Sequence, residues 1–125
     1  HYDDIIGIET AYKGRYERVD GTVVEGASLQ SMLAERAPEV EQELTAKVDA
    51  AVEAFTALKK RGETVEAYDQ MIGEGNAEGN AVVEAAIAAA VDQIQAIERA
   101  VSALGLEAIA FEGSDSLDNP EAVFQ

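Results

Sequence analysis

Four side chains near the start of this 125-residue chain, Glu9, Tyr12, Arg15 and Tyr16, are the best placed to do chemistry. They sit in the run Gly7-Ile8-Glu9-Thr10-Ala11-Tyr12-Lys13-Gly14-Arg15-Tyr16, which packs a carboxylate, two phenols, two cations and two glycines into less than three helical turns. Residues three or four apart share a helical face, so Glu9 neighbours Tyr12, and Tyr12 neighbours Tyr16. A carboxylate beside a phenol can coordinate a hard cation or position a polar ligand. The same residues also suit a buried hydrogen-bond network in which Arg15 pairs with Glu9 or Glu17. Spacing leaves both readings open. Glycine costs about 1 kcal/mol against alanine inside a helix. Gly7 and Gly14 therefore suggest a broken helix or a close approach of backbone.

Other candidate motifs carry less. His1 is the sole histidine, so a Ser–His nucleophile would depend on a chain end, and His1 with Asp3 and Asp4 makes at best a weak metal site. Paired zinc-ligand spacings are absent. Gly73-x-Gly75 with Gly79 follows a helical pattern instead of a strand, and Glu74 and Glu78 repel phosphate, which favours a helix break over a phosphate loop. Asp115, Asp118 and Asn119 do not match the ligand spacing of a calcium loop and read as turn and capping residues.

Composition sets the frame. The length fits one domain over residues 1–125, with enough chain to bury a core. A formal net charge of -16 repels nucleic-acid phosphates and anionic membranes, favours solubility, and attracts cations and basic partners. The chain has no cysteine, which excludes disulfides and thiolate metal sites and fits an oxidising compartment. It shows no signal peptide and no apolar run long enough to span a bilayer, and its start at His1 is read as that of a processed or truncated product.

The positioning elements read as all-α. Asp3 and Asp4 open a short helix with Ile5, Ile6, Ile8 and Ala11 or Tyr12 on its apolar side. Residues 19–26 read equally as a turn with at most a small hairpin or as a loop over the end of the bundle. Ser28 caps a helix to about Arg36, and Pro38 starts the next. That helix, 38–61, carries Leu44, Val48, Ala51, Phe55 and Leu58 at four-three spacing, acids first and Lys59-Lys60-Arg61 last, with Gly62 as its stop. Val65, Tyr68 and Ile72 suggest a short helix, broken by Gly73-Glu74-Gly75-Asn76. Asn76 or Asn80 caps the last long helix, where Val83, Ile87, Ala90, Ile94, Ile97, Val101 and Leu104 form a heptad seam for packing against helix 38–61. Gly105 ends it, Leu106 folds back on Val101, and an irregular tail follows, pinned by Ile109 and Phe111. The expected architecture is an antiparallel, four-helix-bundle-like fold with two long helices, shorter helices and that tail.

Three stretches resemble the imelysin family, and within it the imelysin-like iron-regulated proteins of bacterial envelopes. They are Ile6-Gly7-Ile8-Glu9-Thr10-Ala11-Tyr12-Lys13-Gly14-Arg15-Tyr16, then Gly26-Ala27-Ser28-Leu29, then Leu104-Gly105-Leu106 with Phe111-Glu112-Gly113-Ser114-Asp115-Ser116. The resemblance implies a protein of twice this size, made of two helical bundles related by an approximate two-fold, of which this chain resembles the C-terminal half. The family's Gly-x-His-x-x-Glu motif belongs to the other half and is absent here. Its nearest echo is Gly7-x-Glu9-x-x-Tyr12. The family's site lies between the bundles, so Glu9, Tyr12 and Arg15 would face the missing half.

The resemblance implies iron uptake or peptidase activity, in the periplasm or at the outer membrane. The first expectation is a binding or uptake-accessory protein that holds iron, another divalent metal or a small ligand against an N-terminal bundle. In it Glu9 is a metal ligand or anchors one, Tyr12 and Tyr16 shape the pocket, Arg15 orients Glu9 or meets an anionic chelate, and Gly7 and Gly14 admit a neighbouring helix. The alternatives are a metallopeptidase whose histidine comes from the absent half, with Glu9 as ligand or base, and a structural module without a ligand. The chain by itself holds no complete catalytic constellation.

Overall fold

A computed structural model describes residues 1–106, and they fold as five helices and one small hairpin. The order is α1 (Tyr2–Lys13), β1 (Arg15–Glu17), β2 (Val23–Glu25), α2 (Leu29–Arg36), α3 (Pro38–Thr64), α4 (Tyr68–Met71) and α5 (Ala77–Ala103). The all-α expectation holds, with two long helices of 27 residues each, α3 and α5, forming the main contact of the fold.

These two helices run antiparallel. Arg99 of α5 pairs with Glu43 of α3, Lys47 bonds Asp92 at 2.8 Å, and Arg61 reaches Glu78 at 3.4 Å. Between these partly exposed pairs lie small side chains: Ala51 on α3 and Ala86, Ala96 and Ala100 on α5 are buried. Ala96 and Ala100 share one apolar cluster with Tyr12, Leu33, Leu44 and Val48.

The expected seam on α5 needs correction. Val83 is buried, but Ile87 and Ile94 are 57% and 49% exposed, and the buried line runs through Val83, Ala86, Gln93, Ala96 and Ala100. Alanine lets α5 seat closely on α3, so the bulkier residues are turned to the flank facing α1. There α1 packs on α3 and α2 but scarcely on α5. Two apolar grooves remain along that side. One has a volume of about 330 Å³ between Ile5, Phe55, Leu58, Ile87 and Ile94. The other, of about 180 Å³, is bordered by Ile8, Leu29, Leu33, Ile97, Val101 and Leu104.

Further boundaries differ from the sequence reading. Helix α3 does not stop at Gly62 but runs to Thr64, because the Arg61–Glu66 pair at 2.7 Å and the Thr64 hydroxyl, donating to the Lys60 carbonyl, carry it another half-turn. Helix α4 is a single turn whose buried residue is Met71, while Val65, Tyr68 and Ile72 stay exposed. Asn76 caps α5 by accepting the Gly79 N–H at 2.9 Å. Asn80 plays a different part, since its amide donates towards the carbonyls of Met71, Gly73 and Asn76 and closes the α4–α5 corner. The irregular tail and its pinning residues Ile109 and Phe111 lie outside the described residues.

The glycines separate by surroundings. Gly7 sits within an unbroken α1, and a Cβ there would meet nothing within 4 Å among the described residues. A Cβ on Gly79 would lie 2.6 Å from Met71 Cα and 2.8 Å from its carbonyl oxygen. Gly7→Ala should therefore raise stability by about 0.5–1 kcal/mol through helix propensity. Gly79→Ala should lower it by about 1–3 kcal/mol through overpacking of the corner. Urea melts of the two variants check both. A third expectation concerns Gln93, whose Oε1 is buried with no partner among the described residues. Gln93→Leu should stabilise by about 1 kcal/mol by removing an unpaired polar group.

Candidate functional site

Helix α1 carries Gly7, Glu9 and Tyr12 of the candidate residues, and Gly14 ends it. Gly14 adopts φ 63°, a left-handed cap that favours glycine, and its N–H bonds the Thr10 carbonyl. A Cβ at this position would lie 2.8 Å from Ser28 Cβ and 3.0 Å from the Ala27 carbonyl. The close approach expected at Gly14 is therefore present, although it is made to the loop entering α2 and not to a long helix. The Gly26 N–H donates to the Gly14 carbonyl at 3.0 Å and seals this junction.

Because α1 stops at Lys13, Arg15 and Tyr16 do not lie on the helical face of Glu9 and Tyr12. Both belong to strand β1, which pairs antiparallel with β2 in the register Arg15 to Glu25 and Tyr16 to Val24. Arg15 bonds Glu25 at 2.9 Å rather than Glu9 or Glu17, and Tyr16 is half exposed. The structure thus brings Glu9 and Tyr12 together with residues of α2 and α3, and puts Arg15 and Tyr16 on a projecting hairpin beside them.

Two polar clusters tie α1 to its neighbours. In the first, the Lys13 ammonium bridges Glu9 Oε1 at 2.8 Å and Asp49 Oδ1 at 2.7 Å. Glu9 and Lys13 are 27% and 26% exposed, and Asp49 54%. Burial works against the charge on Lys13, but the hydrogen bonds to Asp49 and Glu9 and their negative charge outweigh it, and the ammonium is held above the ordinary lysine value. Each carboxylate commits one oxygen to Lys13, and among the described residues its second oxygen has no partner.

The second cluster lies deeper. Tyr12 is buried, with its hydroxyl 2.9 Å from Thr45 Oγ1 and 3.3 Å from the Glu41 carbonyl. The Thr45 hydroxyl also lies 2.7 Å from the Glu41 carboxylate, to which it donates, and the Tyr12–Thr45 bond accommodates either atom as donor. Gln30 of α2 adds bonds to Glu41 Oε1 at 2.9 Å and Thr45 Oγ1 at 3.1 Å. Burial, helped by the Glu41 charge and opposed by the Thr45 hydrogen bond, raises the Tyr12 pKa.

Sequence reasoning missed Lys13, Asp49, Thr45, Glu41 and Gln30. Lys13 was findable, since Glu9 and Lys13 stand four apart in the favourable order for a helical ion pair. The α3 residues gave no such sign, because their meeting with α1 depends on tertiary packing.

The donor set also tests the idea of a metal. Hard divalent cations take several oxygen ligands. Glu9 and Asp49 offer oxygens of the right kind, but the Lys13 ammonium lies between them, and among the described residues no three His, Cys, Asp or Glu side chains group as a metal site. By themselves these residues do not fit a metal ion.

Fold and clusters define a helical-bundle module with one polar, acid-rich edge along α1 and α3. The sequence profile of the family described as Imelysin matches residues 1–97, and the chain belongs to the imelysin family. The resemblance seen at Ile6–Tyr16 is therefore borne out. A search of curated proteins gave no match. Among the described residues no helix is long and apolar enough to cross a membrane.

Two outcomes follow from the clusters. Tyr12→Phe should cost about 1–2 kcal/mol, since it strips a buried network of its donor, and chemical denaturation measures this. The pH dependence has a definite sign. Folded Tyr12 and Lys13 hold their protons beyond the ordinary values of 10.0 and 10.5, so the unfolded chain loses protons first. Their contribution is complete below about pH 9 and fades as the pH rises through 10 and above. The double variant Tyr12→Phe/Lys13→Met should lose less stability between neutral pH and pH 11 than the parent, as read by thermal melts across that range.

Proposed function

We propose that this chain serves in the bacterial envelope as an imelysin-type binding module associated with the uptake of iron or another metal, holding a metal-bearing or small polar ligand against an N-terminal bundle of the same protein. One observation carries the reading: among the described residues Glu9 and Asp49 each keep an oxygen uncommitted on a partly exposed edge, with Lys13 fixing both carboxylates in place. Three charges summing to -1 make an edge that favours cations and hydrogen-bond donors. The formal charge of -16 supports the same preference at longer range.

In this reading Glu9 is the contact to the ligand, directly or as one ligand of a metal whose others come from the partner bundle. Tyr12 holds the edge from beneath through Thr45. Gly14 sets the α1–α2 junction, and the open face at Gly7 admits the partner. Arg15 and Tyr16 approach from the hairpin, where Arg15 suits an anionic chelate. The metallopeptidase alternative has no separate observation in its favour, since the one candidate base, Glu9, is already bonded to Lys13. The structural alternative is favoured by the way both clusters join α1 to α3.

Elemental analysis of the chain reunited with its N-terminal bundle, after equilibration with Fe²⁺ or Zn²⁺, separates the three. The proposal expects bound metal, with affinity reduced about tenfold or more in Glu9→Gln, the scale seen when residues around a metal site are altered. Metal retained unchanged in that variant removes Glu9 from the site. Chelator-sensitive peptide cleavage turns the reading towards a peptidase. No metal, no cleavage and a lower melting temperature in Glu9→Gln leave the structural module.

A further inference from the structure

The larger of the two apolar grooves runs between the start of α1 and the middle of α5, over α3. Ile5 stands on one side, Phe55 and Leu58 at the base, and Ile87, Val91 and Ile94 on the other side. Neither Glu9 nor Asp49 lines it, so it is separate from the polar edge described above. Ile87, Val91 and Ile94 step by four and three residues along α5, and each is about half exposed. A single apolar side chain on a surface is ordinary, but a row of them beside an apolar base makes a contiguous patch. The four-three step is that of a seam which receives another helix. Helix α1 does not fill the groove, because it leans on α3 and α2 and scarcely touches α5.

Charge decides what kind of helix fits. Glu84 stands one turn before Ile87 and Glu98 one turn after Ile94, both exposed and without a partner among the described residues. Lys47, Lys59 and Arg99 of α3 and α5 are engaged elsewhere, on Asp92, the Tyr2 ring and Glu43. The apolar row is therefore bracketed by acids about 21 Å apart along the helix. A second copy of this chain fits poorly. Antiparallel pairing of two such rows about Val91 would set Glu84 against Glu98 at both ends, between bodies that each carry a formal charge of -16.

We propose that this groove receives a basic amphipathic helix of a partner protein. Its apolar residues, at four-three spacing, lie against Ile87, Val91 and Ile94, and its flanking Lys or Arg side chains meet Glu84 and Glu98. Burial of the apolar row supplies the affinity. The acids at either end select the partner by charge and set its register.

Two labelled helical peptides serve as probes, read by fluorescence anisotropy against the full 125-residue chain. One carries leucines at four-three spacing flanked by lysines, and the other has glutamates in place of those lysines. The lysine peptide is expected to bind, and the glutamate peptide to bind about tenfold more weakly or less. Ile94→Asp is expected to weaken binding of the lysine peptide by about tenfold or more. Plain attraction to an acidic surface predicts the reverse, since that variant adds a negative charge. Val24→Asp adds the same charge on the hairpin, outside the groove, and is expected to leave binding within about twofold. Glu84→Gln/Glu98→Gln alters exposed side chains only, and is expected to weaken binding several-fold and to flatten its dependence on salt. No binding of the lysine peptide, binding undiminished in either groove variant, or equal binding of both peptides would overturn the proposal. So would a stable dimer of the chain alone, seen by sedimentation and abolished by Ile94→Asp, which would assign the groove to a second copy.

Discussion

The close contact of α3 with α5 is the constraint on which the rest depends. On the α5 side it is made largely by alanines, and a helix surface of alanines lets two backbones approach more closely than one of leucines or isoleucines. Once α5 is seated in this way, its larger residues cannot also face α3. Ile87, Val91 and Ile94 are turned outward, and the two grooves beside α1 follow from that rotation. A seam of isoleucine and valine would have held the helices further apart and filled the space that is now open. The choice of small residues at one interface therefore creates the apolar surface available to another.

Helix α1 is held by different means. Along its length it meets α3 through the Tyr2 ring under Lys59, with the ammonium 4.3 Å from the centroid, then through Lys13 on Asp49 and Tyr12 on Thr45. Only Ile5 and Tyr12 of α1 are buried. Polar ties set register and orientation well but contribute modestly to stability where they are exposed. The arrangement gives a short helix that is accurately placed although little of it is buried.

Much of the frame was legible in the sequence. Pro38 at the start of α3, Ser28 as the cap of α2, Asn76 before α5 and the Gly105 reversal are local signals, and each depends on chemistry within one turn of its position. The family likeness at Ile6–Tyr16 was legible for the same reason. What was not legible is tertiary. Heptad spacing on α5 identifies an apolar stripe without saying which side of it meets α3, and the alanines beside it took that place. The face shared by Glu9, Tyr12 and Tyr16 assumed that the helix continues past Gly14, whereas the backbone at Gly14 turns left-handed and delivers Arg15 and Tyr16 to a strand. Thr45, Glu41 and Gln30 are ordinary polar residues on their own helices. They become a network only because Tyr12 is driven between them.

The distribution of charge ties these observations together. The chain has 25 acids and nine Lys and Arg residues. Lys13 and Lys59 join α1 to α3, Lys47 and Arg99 join α3 to α5, Arg15 closes the hairpin, and Arg61 spans the α3–α5 corner. Cations on this molecule thus sit largely at joints between elements, while unmatched acids cover the remaining surface. Salt acts on such a molecule in two directions. It screens the exposed ties, each worth little, and it screens the mutual repulsion of many acids spread over a small body. The excess of acids makes the second effect the larger one, so the fold gains from ionic strength even as its individual ion pairs weaken. The same reasoning bears on the α1–α3 edge. In the proposed reading, an arriving cation relieves repulsion there instead of competing only with Lys13, so that an edge already bridged by an ammonium would still favour positive charge.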